Sequence, residues 1–235
     1  GVLRLRIDRE GKRNALSDPM ATEICDALAT TEARVVLLSS SGDRVFCAGA
    51  DLAVMSGDGS RGGVRRVIEA MRACPVPVVV RVQGLCLAGG VGLVLGADLA
   101  IAADSAELGL PEVNLGLWPF MVSVLLAQHV SPKVAMDLML TGRRVGAEEA
   151  AAIGLISRVV PDVGLDDEVE ALVGTLAAAA PLAVREGKAA FLSLLDTGDT
   201  LAHMQQRLTA LTQTADVAEG IAAFRERRPP RWQGR

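Results

Sequence analysis

Apolar residues alternate with arginines from Val2 to Ile7, the period of a half-buried strand, and a turn over Gly11 to Asn14 leads on to a helix. Asp18 followed by Pro19 reads as a cap with a first-turn proline, and Ile24 and Leu28 carry the apolar face onward. Val35 to Leu38 is an unbroken aliphatic run of strand length, as expected of a strand covered on both faces. Val78 to Val82, after Pro75 and Pro77, is a second such strand, and Gly57 to Gly63 between them reads as a surface loop. Beyond Gly89 and Gly90 the pattern predicts a short helix, then a strand around Leu99 to Ala102, so strands and helices interleave as in an α/β layered core. From Phe120 the period is helical, through Ala135, Leu138 and Met139, Ala147 to Ile153, Val169 to Leu176, and Leu201, Met204, Leu208 and Leu211. Only Leu155 to Val160 interrupts it as a strand. The apolar stripes of this helical third call for a cover, and a neighbouring subunit is the expected one. No period of 20 to 50 residues marks a solenoid at sequence level.

Composition narrows the classes. With 235 residues, half of them apolar, the chain can bury one sizeable core, and with a net charge of −4 it is not basic enough for general nucleic-acid binding. Cys25, Cys47, Cys74 and Cys86 lie in apolar surroundings without a CxxC pair, the usage of buried free thiols in a reducing compartment, so the expected location is cytoplasmic. Leu85 to Ala103 is too interrupted by Asp98 and four glycines to cross a membrane and reads as core. The chain opens on Gly1 without a basic-then-apolar leader, and no targeting segment is expected in it.

Several chemistries drop out by motif. Gly90-Val91-Gly92 starts like a dinucleotide fingerprint, but the third glycine comes at Gly96, one residue late, and no phosphate-loop Gly-Lys-Ser/Thr exists. Around Ser60 a nucleophile elbow fails because Asp58 stands where glycine is required. Ser123 and His129, six residues apart on one helix, are turned about 240° from each other. His203 is the other histidine, and both read as helix-surface or helix-end residues.

Three segments remain. Phe46-Cys47-Ala48-Gly49-Ala50-Asp51-Leu52 is a strand ending in small residues, where a ligand can approach main-chain N–H groups. Gln83 to Gly92 is another strand, then small residues and a helix start, a place that favours developing negative charge. Pro111-Glu112-Val113-Asn114-Leu115-Gly116-Leu117-Trp118-Pro119 sets one carboxylate in a mostly apolar loop. Singly, each has an ordinary structural explanation: a strand-to-helix turn, tight packing, a solvated charge. Together and in this order, with Lys12-Arg13-Asn14-Ala15-Leu16, Leu140-Thr141-Gly142 and the ending Ala223 to Pro229, they resemble the enoyl-CoA hydratase/isomerase family, the crotonase superfamily.

The resemblance implies an α/β fold, a ββα spiral core over residues 1–180 carrying the acyl-CoA site and a helical C-terminal oligomerisation region over 181–235. It implies a homotrimer or dimer of trimers, an acyl-coenzyme A thioester as substrate, and no tightly bound cofactor beyond the coenzyme A of that thioester. By position the N–H groups of Ala48 and Gly89 match the oxyanion hole, and Glu112 matches the acid/base. Arg13, Ala15, Leu16, Ala50, Asp51 and Leu52 match the coenzyme A pocket, and Phe224 matches the tail region that covers the coenzyme. No metal, nucleic acid or membrane is expected. One departure matters: hydratases of the family hold water between two glutamates, and the first of these positions is Gly92 here. A single base suffices to move a proton between two carbons of an enolate, so double-bond isomerisation fits better than hydration. Phe120-Met121-Val122 replaces a glycine-rich run and is expected to narrow and dry the pocket, raising the pKa of Glu112. The open alternatives are a hydratase proper, a catalytically weak acyl-CoA-binding protein, and an RNA-binding module using Arg225, Arg227, Arg228, Arg231 and Arg235 with Trp232.

Overall fold

A computed structural model describes residues 1–51, 62–197, 210 and 213–235. The two aliphatic runs become neighbouring strands of one parallel sheet, and their period of two sorts the side chains onto its two faces. Strand β1 is Val2–Ile7, β2 Val35–Ser40, β3 Val45–Cys47, β4 Val78–Val82, β5 Leu85–Leu87, β6 Leu99–Ala103, β7 Glu107–Gly109, β8 Arg144–Gly146 and β9 Arg158–Val160. Val36, Leu38, Val78, Val80 and Ala102 point into the main core. Val35, Leu37, Val79 and Ile101 point to the other face, where Leu165, Val169, Leu172 and Val173 of helix Leu165–Ala178 cover them. At the edge, β1 keeps Arg4 and Arg6 outward, Arg4 in a two-point pair with Glu170.

The five-stranded sheet runs β1-β2-β4-β6-β9, all parallel, and a four-stranded sheet runs β3-β5-β7-β8, parallel except for the last pair. Successive turns of chain thus lay one strand in each sheet, a ββα spiral. From Val36 to its partner Val78 is 42 residues and from Val45 to Leu85 is 40; from Val79 to Leu99 is 20 and from Leu85 to Glu107 is 22. The two sheets advance by nearly equal steps, but the first of these turns is about twice the length of the next. That inequality is why no repeat period is visible in the sequence. Helix α1 (Asp18–Ala29), α2 (Gly63–Ala73) and α3 (Gly89–Gly96) lie against one another under the main core.

Several expectations shift in detail. The first helix is preceded by Ser17, with Asp18 already its first residue and Pro19 in its first turn. The strand expected over Leu155 to Val160 is limited to Arg158–Val160, because Leu155 and Ile156 are buried in the main core instead. The short strand β8, pairing antiparallel with β7, falls inside the stretch expected to be helical; three residues are too few to register as a period. Of the 57–63 loop only Gly62 and Gly63 are described, Gly63 opening a helix, and Leu201, Met204, Leu208, Leu211, His203, Ser60 and Asp58 lie outside the described residues.

The expected boundary at 180 falls between helix Leu165–Ala178 and helix Pro181–Thr197. Lys188 of the latter, nearly buried, donates to the carbonyls of Met71 and Val76 and, at 2.7 Å, to Asp98, whose carboxylate also takes the Val78 N–H. The basic tail is tied down rather than loose. Glu219 holds Arg228 in a two-point pair, buried Asp216 accepts the N–H groups of Gln233 and Gly234, and the Trp232 indole donates to the Ala178 carbonyl. Trp232 also lies close over Gly220, so the aromatic that an RNA-binding tail would offer for stacking is packed on its own chain. No helix among the described residues is long and apolar enough to cross a membrane.

Candidate active site

Because β3, β5 and β7 are parallel neighbours, their C-terminal ends sit side by side, and the chain segments leaving them converge. These are Ala48 to Asp51, Ala88 with Gly89, and Pro111 with Glu112, and they line one cavity of about 920 Å³. The turn before α1 closes a fourth side. Asn14, buried and at φ +54°, donates to the carbonyls of Ser41 and Val45 and accepts the Arg9 N–H, which pins residues 9 to 15 to the strand ends. Lys12 and Arg13 are thereby held at the cavity wall.

After β3 the chain turns through Gly49, at φ +92°, and runs beside Leu16, which donates to the Gly49 carbonyl and accepts from Asp51. A side chain at Gly49 would put its Cβ 2.9 Å from the Gly89 nitrogen, so glycine is required for this approach. Among the described residues no acceptor takes the N–H of Ala50 or of Gly89, the latter opening α3. Two unpaired main-chain donors therefore stand on adjacent loops at the same cavity.

Glu112 is the second residue of a short 3₁₀ turn, Pro111–Leu115. Its Oε2 is buried and has no hydrogen-bond partner among the described residues. Burial pushes its carboxyl above the usual carboxylate range, against a smaller opposing pull from its own backbone N–H. The other carboxylate on the wall, Asp51, is paired with Arg9 at 2.6 Å. Beyond Glu112 the wall is hydrocarbon: Leu115, Leu117, Trp118, Phe120, Met121 and Val122. The cavity thus brings together two cations, two N–H donors, a raised carboxyl and an apolar wall. It suits a ligand with an anionic part, an apolar part, an oxygen that gains charge and an acidic proton. The whole sequence, residues 1–235, matches the family Enoyl-CoA hydratase/isomerase.

The chain belongs to the enoyl-CoA hydratase/isomerase family. It is 32% identical to human enoyl-CoA hydratase domain-containing protein 3, mitochondrial, over 99% of this chain and 80% of that protein. It is 30% identical to carnitinyl-CoA dehydratase of Proteus mirabilis, over 100% and 95%. An enoyl-CoA hydratase crystal structure from Mycobacterium smegmatis superposes with a TM-score of 0.92 at 35% identity, over 98% of this chain and 95% of that one. The expected crotonase fold and enzyme class are thereby established, with the reaction unspecified.

Within this enoyl-CoA hydratase/isomerase chain, Glu112, Ala48, Gly89, Arg13, Ala15, Ala50 and Asp51 all meet at the cavity. Leu16 does not face it; its side chain is buried in the main core. Leu52 lies outside the described residues, and Phe224 belongs to helix Ala215–Glu226 with its side chain outside the described residues. One expected role needs correction. The Ala48 N–H is donated to the Arg13 carbonyl at 3.1 Å, leaving Ala50 as the unpaired donor of that loop. Which amide is left unpaired at the Gly49 turn, φ +92°, is a consequence of tertiary geometry that the run of small residues cannot reveal.

A side chain at Gly92 would have to displace its neighbours. A Cβ there would meet Ile68 Cδ1 at 2.9 Å and Val122 Cγ2 at 3.3 Å. Of the expected narrowing trio, only Val122 is buried; Phe120 and Met121 stand at the rim, 73% and 41% exposed. Sequence reading did not single out Ile68, whose signal was its place on the inward face of α2 with Val64, Val67 and Met71. The Ser123 hydroxyl donates to the Phe120 carbonyl and His129 Nδ1 contacts the Leu125 carbonyl, each within its own helix. Among the described residues no group of three or more His, Cys, Asp or Glu side chains is placed to hold a metal. All four cysteines are free, and burial pushes the Cys47 thiol up to about 12.

Proposed function

We propose that the protein catalyses double-bond isomerisation of an enoyl-coenzyme A thioester, with Glu112 moving the proton. The observation carrying this reading is the lone buried carboxyl with an unpartnered oxygen beside two unpaired main-chain donors. In this scheme the Ala50 and Gly89 N–H groups receive the thioester oxygen, each worth about 2.7–4 kcal/mol as its charge develops. Glu112 takes a proton from the carbon that acidifies as the enolate forms and returns it two carbons along. Burial raises its pKa, which favours the protonated form it needs when it returns the proton. Lys12 and Arg13 serve the coenzyme's phosphates. Water addition needs a second acid/base group, and hydrocarbon from Ile68 and Val122 fills the space beside Gly92. Residues 181–235 serve assembly into a trimer or a dimer of trimers.

The test is turnover of a panel of 2-enoyl- and 3-enoyl-CoA thioesters in heavy-oxygen water, read by mass spectrometry. Isomerisation moves the double bond without label; hydration adds one labelled oxygen. Labelled hydroxyacyl product as the main product supports the hydratase reading, which the names of the curated relatives favour. Binding without turnover supports a protein that only holds acyl-CoA.

A further inference from the structure

Ala88 is built where the backbone disfavours a side chain. It lies at φ +53°, ψ −123°, the geometry of the first central residue of a II′ turn, which glycine adopts freely and alanine only under strain. The surroundings hold it there. Its N–H is donated to the Gly109 carbonyl at 2.9 Å, and its own carbonyl accepts from Val91 at 3.0 Å and from Gly92. Its methyl occupies the space that a side chain on Gly49 would need, since a Cβ on Gly49 would come within 3.0 Å of the Ala88 Cβ. A Cβ on Gly89 would in turn fall 2.9 Å from Val64 Cγ2 and 3.4 Å from Gly49 Cα. Between the loop carrying the Ala50 amide and the loop carrying the Gly89 amide there is room for one methyl group. The chain puts it on the residue where it costs conformational strain, directly before one of the two donors.

We propose that Ala88 is a positioning residue: its methyl, set between the two loops, fixes the spacing and aim of the Ala50 and Gly89 N–H groups at the expense of backbone strain. The proposal rests on the reading of those two groups as donors to the thioester oxygen. A hole for developing charge works only when its donors are held in place before the reaction, and displacements of about 1 Å cost on the order of 100-fold in rate. Removing the methyl frees the corner to relax by a fraction of that distance.

The experiment compares Ala88→Gly and Ala88→Ser with the parent on the enoyl-CoA thioester it turns over fastest. For Ala88→Gly, kcat should fall about tenfold with KM within about twofold. Its melting temperature should hold or rise by up to about 4 °C as strain is released. Ala88→Ser keeps the Cβ and should stay within about threefold of the parent kcat. A parent-like kcat for Ala88→Gly, an equal loss in both variants, or a lowered melting temperature for Ala88→Gly overturns the proposal. Glu112→Gln run alongside separates the two levels. If it is inactive while Ala88→Gly is parent-like, only the positioning role fails; if it turns over normally, the reading of the site itself fails.

Discussion

Glu112 carries the sharpest consequences at the scale of single residues. Glu112→Gln preserves shape and removes proton transfer, so turnover should drop about 100- to 10,000-fold while binding of the thioester, measured by calorimetry, stays nearly unchanged. The parent's kcat should fall as acidification protonates the base, with a midpoint above the usual carboxylate range because burial raises this carboxyl. The same shift has a stability side. A carboxyl whose folded pKa is raised weakens the fold when it ionises: its neutral form is favoured below the unfolded value of about 4.3, and that advantage is lost as pH rises through the folded value. Glu112→Gln should therefore melt higher than the parent at neutral pH, with the gain vanishing near pH 4; a gain constant with pH would contradict the buried, unpartnered state of Oε2.

Gly92 gives a second residue-scale test. Gly92→Glu alone should lower the melting temperature, since the new side chain meets Ile68 and Val122 within a buried helix contact. Joined to Ile68→Ala it gains room, and the fraction of heavy-oxygen product should rise over that of either single variant. No increase in hydration from the folded double variant would show that more than this carboxylate separates the two reactions.

At the scale of elements, the three strand ends of the smaller sheet build the site, and one cation ties helix Pro181–Thr197 to the end of α2 and to the segments entering β4 and β6. Lys188 joins helix Pro181–Thr197 to the Met71 and Val76 carbonyls and to Asp98 at the start of β6. Lys188→Met leaves Asp98 with only the Val78 N–H and strips two carbonyls of a donor. About 2 kcal/mol of stability should be lost, since removing one partner of a buried pair strands the other. In a chain of this size that is roughly 4–8 °C in melting temperature by calorimetry. Strands β1, β2, β4 and β6 were legible because their apolar patterns run over four or more residues. Among the elements that escaped, β8 is three residues long and the 3₁₀ turn carrying Glu112 five, whereas the eleven residues of α2 were passed over beside the Gly-rich stretch before them.

At the scale of the whole molecule, several large apolar side chains stay exposed. Phe120, Val124 and Leu140, in helices Phe120–His129 and Pro132–Thr141, are 73%, 62% and 56% exposed, and Phe191 in helix Pro181–Thr197 is 60% exposed. Burying such side chains between copies is worth about 25 cal/mol per Å². Light scattering at micromolar concentration should then give three or six times the protomer mass of 24.5 kDa; a monodisperse monomer would remove the assembly reading.

The sequence by itself determined the alternation that sends Val36 and Leu38 to one face and Val35 and Leu37 to the other, and the cluster of small residues and one glutamate where chemistry was expected. Period and residue size are local properties, and a chain states them directly. Which amide of Ala48 to Ala50 is left unpaired, that Leu16 turns to the core, and that Ile68 and Val122 fill the space beside Gly92 were decided only in three dimensions. Each depends on a partner 24 to 35 residues away, through a hydrogen bond or a van der Waals contact. Such pairings exist only after the parallel strands have brought the three loops to one edge of the sheet.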